Sequence, residues 1–575
     1  MRHRRRSTLL SMAGLMALNA CAPGDSQPIP PNVARAIDAT FADMDRPDVP
    51  GASVAVIRDG RLSFSKGYGS AQLEHRVPIT SRTVFHVASV SKQFTAMAVT
   101  LLAAEGALGL DDRVQEHLPW VPELGRPVTV RQMIHHTSGI RDQWELLGIA
   151  GWRLDDVITT EHVKTLMRRQ EGLNFEPNSE YLYSNMGYTL LAQVAETLGG
   201  STFPTFAAER IFRPLGMERT HFHDDHQMIV PGRAYSYAPT GSGEFEKSVL
   251  SYANAGATSL FTTAEDLALW LDNFRHQRVG GSAVMAQMQN RGVLNNGDTI
   301  PYAHGLSMGE YRGLSTVGHG GADAGFRTAV TWFPEVNVGI VVLTNVSNGN
   351  PQGRLFHVAD AVIGDGFPEP LDTGDEESAT EQSPPFALSA EVMDRATGRF
   401  RTTFGITVGV EREGDRLLLR VPDSPPSRMN PRSANEFHIS DLDLRARFRA
   451  DWSGFTLLTP DGEEVGSGDR LPDVVPGETV LEGYVGTYYS PELDALYHIG
   501  VEDGFLIAQH VRHGDIRLEA VLPDEFVSER WFLGTVRFRR NASGTVDGFQ
   551  VTGGRVRDLR FVRLASSLPS RVGPG

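Results

Sequence analysis

The amino-acid sequence predicts a multidomain protein in which one mixed α/β domain is followed by two small antiparallel β-barrels. Three observations carry this. Residues 30–364 mix helical and strand periodicities. Residues 365–385 hold seven acids, four prolines and no base, the composition of a solvated linker. The remainder is a run of short alternating strands that repeats itself. The 575 residues are too many for one domain, and 40 % apolar residues suffice for packed cores. With 54 Lys+Arg against 70 Asp+Glu, a net charge of −16 argues against a nucleic-acid partner. The one cysteine, Cys21, excludes an internal disulfide and a cysteine-built zinc site.

At the start, Met1–Arg6 carries four arginines and Ser7–Leu18 is a short apolar run. A charged start, an apolar middle and small residues at the end describe a secretory signal over residues 1–20, too short for a stable membrane anchor. Leu18-Asn19-Ala20-Cys21 resembles the lipobox of bacterial lipoproteins. That resemblance implies lipidation of Cys21, a membrane anchored through the lipid, and a periplasmic location in a Gram-negative-type bacterium.

The mixed domain is expected over 30–364, the acidic linker over 365–390, and the two barrels over 391–471 and 478–566, joined by 472–477. The repeat sets the barrel boundaries. Gly398-Arg-Phe400 returns as Gly486-Thr-Tyr488, Asn435-Glu-Phe437 as Asp524-Glu-Phe526, and Arg447-Phe448-Arg449 as Arg537-Phe538-Arg539. Asp503-Gly504 marks a hairpin turn. Closure into barrels removes exposed strand edges.

Within the mixed domain, Ser89-Val-Ser-Lys92 opens an apolar stretch of helical spacing through Val90, Phe94, Met97, Leu101 and Leu102. Residues i and i+3 share a helix face. A serine hydroxyl needs a base beside it, and a desolvated lysine loses proton affinity and supplies one. The chain holds only four lysines, Lys66, Lys92, Lys164 and Lys247. A second match, Ser63-Phe-Ser-Lys66, lies in a strand pattern, where an odd separation puts the side chains on opposite faces. Tyr183-Ser-Asn185 precedes a helix that ends at Gly199-Gly200. It offers a phenol for proton work and an amide to orient Lys92 and a substrate amide. His319-Gly-Gly321-Ala322 brings glycines that let backbone approach a ligand closely.

With these residues in place, the chain resembles the penicillin-binding and class C β-lactamase-like serine hydrolases. Their motifs S-x-x-K, Y-x-N and K-T-G or H-x-G stand here, in order, as Ser89–Lys92, Tyr183–Asn185 and His319–Gly321. Met133-Ile-His-His-Thr-Ser-Gly139, Pro214-Leu-Gly-Met217 and Thr262-Thr-Ala-Glu-Asp-Leu267 are family-like flanks. The resemblance implies a β-lactamase/transpeptidase-like catalytic domain, an antiparallel sheet plus a helical subdomain. It implies Ser89 as acyl-forming nucleophile, with Lys92 and Tyr183 sharing the proton work. Asn185, His319, Gly320 and Gly321 would bind and orient substrate, and the backbone N–H groups of Ser89 and Ala322 would form the oxyanion hole. No cofactor or metal is implied.

Histidine at the third motif is a poorer permanent cation than lysine, which argues against efficient β-lactam hydrolysis. Esterases and D-aminopeptidases of the family carry H-x-G, and the latter resemble this chain in having two barrels. In those enzymes a loop of the last barrel enters the active-site region, here expected between Asp494 and Trp531. The expected substrate is a small molecule or peptide, peptidoglycan-derived material included. D-amino-acid peptides come first and short esters second. A β-lactamase or a non-turnover cell-wall sensor are the alternatives.

Two rival sites carry less. Gly305-Leu-Ser307-Met-Gly309 matches a nucleophile elbow, but a turn follows it where a helix is required. His221-Phe-His223-Asp-Asp225-His226 has metal-ligand spacing without the apolar strand that should lead into it.

Overall fold

The computed structural model describes residues 29–241, 243–368, 388–422, 424, 426–439, 442, 444–459, 462, 464–472 and 477–565. The segment expected to be a signal, Cys21, most of the expected acidic linker and most of the 472–477 joint lie outside the described residues.

Alternation of side chains across a strand builds the catalytic domain's two layers of core. Strands β1 (Ala52–Arg58) and β2 (Arg61–Tyr68) join β3 (Ser307–Tyr311), β4 (Leu314–Asp323), β5 (Phe326–Phe333) and β6 (Val338–Thr344) in one antiparallel sheet, ordered β3-β4-β5-β6-β1-β2. Along β1, Val54 and Val56 face one side with Ile340 and Val342, under the helices α1 (Pro31–Thr40) and α6 (Pro351–Ile363). Ala55 and Ile57 face the other with Val341 and Leu343, under α5 (Ala264–His276). Both faces are covered, so β1 is buried through Ile57.

The helical subdomain centres on α2 (Ser91–Ala104), buried at every position from Ser91 to Leu102. A helix apolar on most sides belongs inside a core. It packs against α4 (Asn185–Gly199), which Gly200 ends in the left-handed region at φ 67°. Lys66 lies on β2 and pairs with Asp38, as its strand pattern implies.

Each C-terminal repeat closes as an eight-stranded antiparallel barrel, the first from Gly398–Thr402 to Glu464–Arg470, the second from Gly486–Ser490 to Leu559–Arg563. The duplicated positions pack alike. Phe448 meets Phe400 and Phe455 at 5.7 and 5.5 Å, and Phe538 meets Tyr488 and Phe549 at 5.8 and 5.5 Å. Asp503 and Gly504 both have positive φ, as a two-residue hairpin turn requires. Ser389 caps the helix Ala390–Ala396, so residue 390 is helix rather than linker.

The barrels differ in attachment. The first encloses its own core. The second shares a continuous core with the catalytic domain. It docks on α3 (Gln143–Ile149): the Tyr497 hydroxyl donates to the Ile149 carbonyl at 3.0 Å, and Gly148 leaves room for Phe532. Arg141 and Glu492 pair at 2.5 Å, both buried. Removing one partner of such a pair strands a charge in the interior.

Candidate active site

Ser89 sits in a 3₁₀ turn, Ala88–Val90, that runs into α2. Ala88 before it has φ 47°, a strained left-handed conformation of the kind found at functional turns. Ser89 remains partly exposed, whereas Lys92 is wholly buried. The Lys92 amine lies 3.1 Å from Ser89 Oγ, 2.8 Å from Asn185 Oδ1 and 2.7 Å from the Ala257 carbonyl. Burial, only partly countered by Asp323 and Asp142, lowers its pKa to about 7. A neutral amine that donates to Asn185 and Ala257 keeps its lone pair for the Ser89 hydroxyl.

Tyr183 brings its ring within 4.8 Å of the Lys92 amine. Its buried hydroxyl faces Ser89 without closing a hydrogen bond of regular geometry. Burial raises this phenol well above its usual pKa, so it rests protonated, and the proton-accepting role falls to Lys92. Asn185 opens α4. Asp142 Oδ2 accepts from its backbone N–H at 2.7 Å and its side-chain Nδ2 at 2.8 Å, which fixes Oδ1 toward Lys92.

The third motif lies on β4. β3 pairs with β4 only as far as Gly318, so the edge from His319 to Asp323 is left open. Gly321 is required there, because a Cβ would stand 2.4 Å from the Val87 carbonyl and 3.1 Å from the Ala88 Cβ. This close approach brings Gly320–Ala322 beside the turn that carries Ser89. His319 Nδ1 lies 2.5 Å from the Gly320 carbonyl, and Nε2 lies 3.0 Å from the Tyr302 hydroxyl. These partners assign the neutral tautomer with the proton on Nδ1. Burial lowers the His319 pKa to about 4, so the ring carries no charge near neutrality.

A loop of the second barrel does enter the site, but from residues 553–558, not from between Asp494 and Trp531. The Arg555 carbonyl accepts from Asp142 N at 3.2 Å, and its guanidinium lies 5.0 Å over the Tyr183 ring. The Asp494–Trp531 stretch instead makes the docking contact: His513 Nε2 bonds the Gly148 carbonyl at 2.8 Å and Arg512 pairs with Asp156 at 2.7 Å. Asp142, Tyr302 and Arg555 were not singled out by the sequence, and His136 only as part of the Met133–Gly139 flank. His136 is buried against Tyr183 at 4.1 Å and accepts from Ser184 N at 3.1 Å. For Asp142 the signal was its N-cap position before Gln143-Trp144; for Arg555 it was the preceding Gly553-Gly554.

The rival sites stay outside this arrangement. Ser307 begins β3, and Gly305 of its motif serves packing, since a Cβ there would meet the Lys92 carbonyl at 2.5 Å. His221 and His223 pack on Phe261, and among the described residues no three of His, Cys, Asp and Glu converge as metal ligands.

Comparison with known proteins agrees with this fold. The Beta-lactamase family profile matches residues 37–363. A penicillin-binding protein of Bacillus subtilis (strain 168) is 26 % identical over 438 residues, 72 % of this chain and 93 % of its own. A D-aminopeptidase of Brucella anthropi is 26 % identical over 544 residues, 90 % of this chain and 95 % of its own, barrels included. Among solved structures, the octameric penicillin-binding protein homologue from Pyrococcus abyssi has a TM-score of 0.51 at 22 % identity, covering 84 % of this chain and 98 % of its own. The family profile spans more than half of the chain, and the D-aminopeptidase matches it nearly end to end: the protein belongs to the Beta-lactamase family and is a hydrolase of the serine β-lactamase and penicillin-binding-protein type.

Proposed function

We propose that the protein hydrolyses an amide or ester bond of a D-amino-acid-containing peptide through an acyl-enzyme on Ser89. The observation that carries this reading is the buried Lys92 amine, 3.1 Å from Ser89 Oγ with a pKa near 7. Neutral Lys92 takes the hydroxyl proton as Oγ attacks the carbonyl carbon. The backbone N–H groups of Ser89 and Ala322 receive the oxyanion. Tyr183 gives its proton to the leaving atom and recovers one from Lys92. Water then attacks the ester, with the same groups returning the protons. Asn185 and His319 orient the substrate along the β4 edge.

The substrate class is supported by the D-aminopeptidase relatives, whose similarity runs through both barrels. A β-lactam is the poorer fit, because neutral His319 offers its carboxylate no charge. The test is intact mass and product release after exposure to a fluorophosphonate, a D-alanine amide, its L-alanine counterpart, a short ester and a penicillin. The reading expects a fluorophosphonate adduct on the peptide containing Ser89 and repeated turnover of the D-alanine amide. An adduct mapped elsewhere, or hydrolysis of the L-alanine amide at an equal rate, removes it.

A pH profile follows from the same amine. Only neutral Lys92 accepts the proton, so kcat/KM should fall about tenfold per unit below pH 7 and level off above it. An inflection near 10, the ordinary lysine range, would show that burial leaves the amine unperturbed.

A further inference from the structure

Arg555 stands at the tip of the hairpin between strands Val546–Thr552 and Leu559–Arg563 of the second barrel. Its backbone is pinned. The N–H donates to both Glu145 oxygens at 2.8 and 2.9 Å, and the carbonyl accepts from Asp142 N at 3.2 Å and Asn174 Nδ2 at 2.9 Å. Two residues on, Arg557 N donates to Asn174 Oδ1 at 2.8 Å. Behind the loop, a Cβ on Gly554 would meet Glu145 Oε1 at 3.2 Å and Ile406 of the first barrel at 3.8 Å. None of these bonds uses the Arg555 side chain.

The guanidinium is exposed, 5.0 Å over the Tyr183 ring, and its charge reaches Lys92, His136 and Tyr181 as well. Among the described residues it donates no hydrogen bond and pairs with no carboxylate. Its neighbour Arg557 shows the contrast, being paired with Glu180 at 3.0 Å. The other cations near the cleft are occupied. Arg141 is paired with Glu492, and Arg327 donates to the Ala324 and Phe326 carbonyls at 2.9 and 2.8 Å. Lys247 is paired with Glu74 at 3.9 Å. His319 has both ring nitrogens engaged. A loop pinned by its backbone therefore presents, over the Tyr183 ring, one planar donor fork that has no hydrogen-bond or carboxylate partner among the described residues, the geometry that suits a carboxylate.

We propose that Arg555 binds a free carboxylate of the substrate, so that the second barrel supplies the anion-holding cation that His319 does not. The inference rests on the acyl-enzyme reading and names its substrate class: D-amino-acid peptides carrying a carboxylate within reach of the scissile bond.

Equilibrium binding to the full-length Ser89→Ala protein tests this without turnover. Two matched pairs are compared: D-alanyl-D-alanine against D-alanyl-D-alaninamide, and N-succinyl-D-alaninamide against N-acetyl-D-alaninamide. The carboxylate member of at least one pair should bind about tenfold more tightly. R555A should abolish that advantage and R555K retain part of it, with thermal midpoints matching the parent because the loop is held by its backbone. Equal affinities within both pairs, an advantage that survives R555A, or no measurable binding of either carboxylate at millimolar concentration overturns the proposal. Failure of the acyl-enzyme reading would appear separately, as absence of the Ser89 adduct in the unmodified protein.

Discussion

Ser89→Ala should lower kcat/KM for ester and amide hydrolysis by several orders of magnitude while leaving the fold unchanged. The first half follows from chemistry. The remaining groups offer a base, an acid and backbone donors, but no atom to bond to the carbonyl carbon. The second half follows from packing. Ser89 is partly exposed and its side chain donates to no structural acceptor, so the methyl group of alanine fits and the Lys92 amine keeps Asn185 and Ala257. Steady-state rates against thermal midpoint separate the two. Activity within tenfold of the parent would place the nucleophile elsewhere.

Lys92→Arg should be nearly as inactive, with a loss of roughly 10²–10⁴-fold, the range expected for losing a general base. Arginine keeps its proton throughout the pH range in which proteins are folded, so no lone pair would face Ser89 Oγ. Size adds to the effect: the amine is wholly enclosed by Asn185, Ala257 and the rings of Tyr183 and Tyr188, and a guanidinium would displace them. Lys92→Met, close in shape and uncharged, is the companion variant. It should keep the thermal midpoint and lose the activity. A tenth or more of the parent rate in Lys92→Arg would assign the base to another group, Tyr183 first.

The parts of the site that were legible in the sequence are those whose geometry is local. Ser89 and Lys92 are one helical turn apart, and Tyr183 and Asn185 flank a helix start, so each pair is nearly positioned by its own element. The barrels were legible because duplication repeats a pattern, and aromatic residues at matching positions pack alike. Asp142 and Arg555 were not, since their meeting depends on a barrel docking against a helix hundreds of residues earlier in the chain. The Asp494–Trp531 expectation failed for a related reason. That stretch does reach the catalytic domain, but it packs on α3 through Tyr497 and His513, and the hairpin beyond it extends to the cleft. The third motif's strand was hidden by its glycines, which interrupt the alternation and exist to let β4 approach the Ser89 turn.

The hairpin at 553–558 is bonded on one flank by Glu145 and lies on the other beside Phe404–Ile406, which belong to the first barrel. Residues that never meet a reactant therefore govern how one wall of the cavity stands. Mutations accumulating in that outlying module would then shift which molecules are accepted while the groups around Ser89 stay untouched, so the duplicated C-terminal third of the polypeptide has a route to change what is consumed without risking whether anything is.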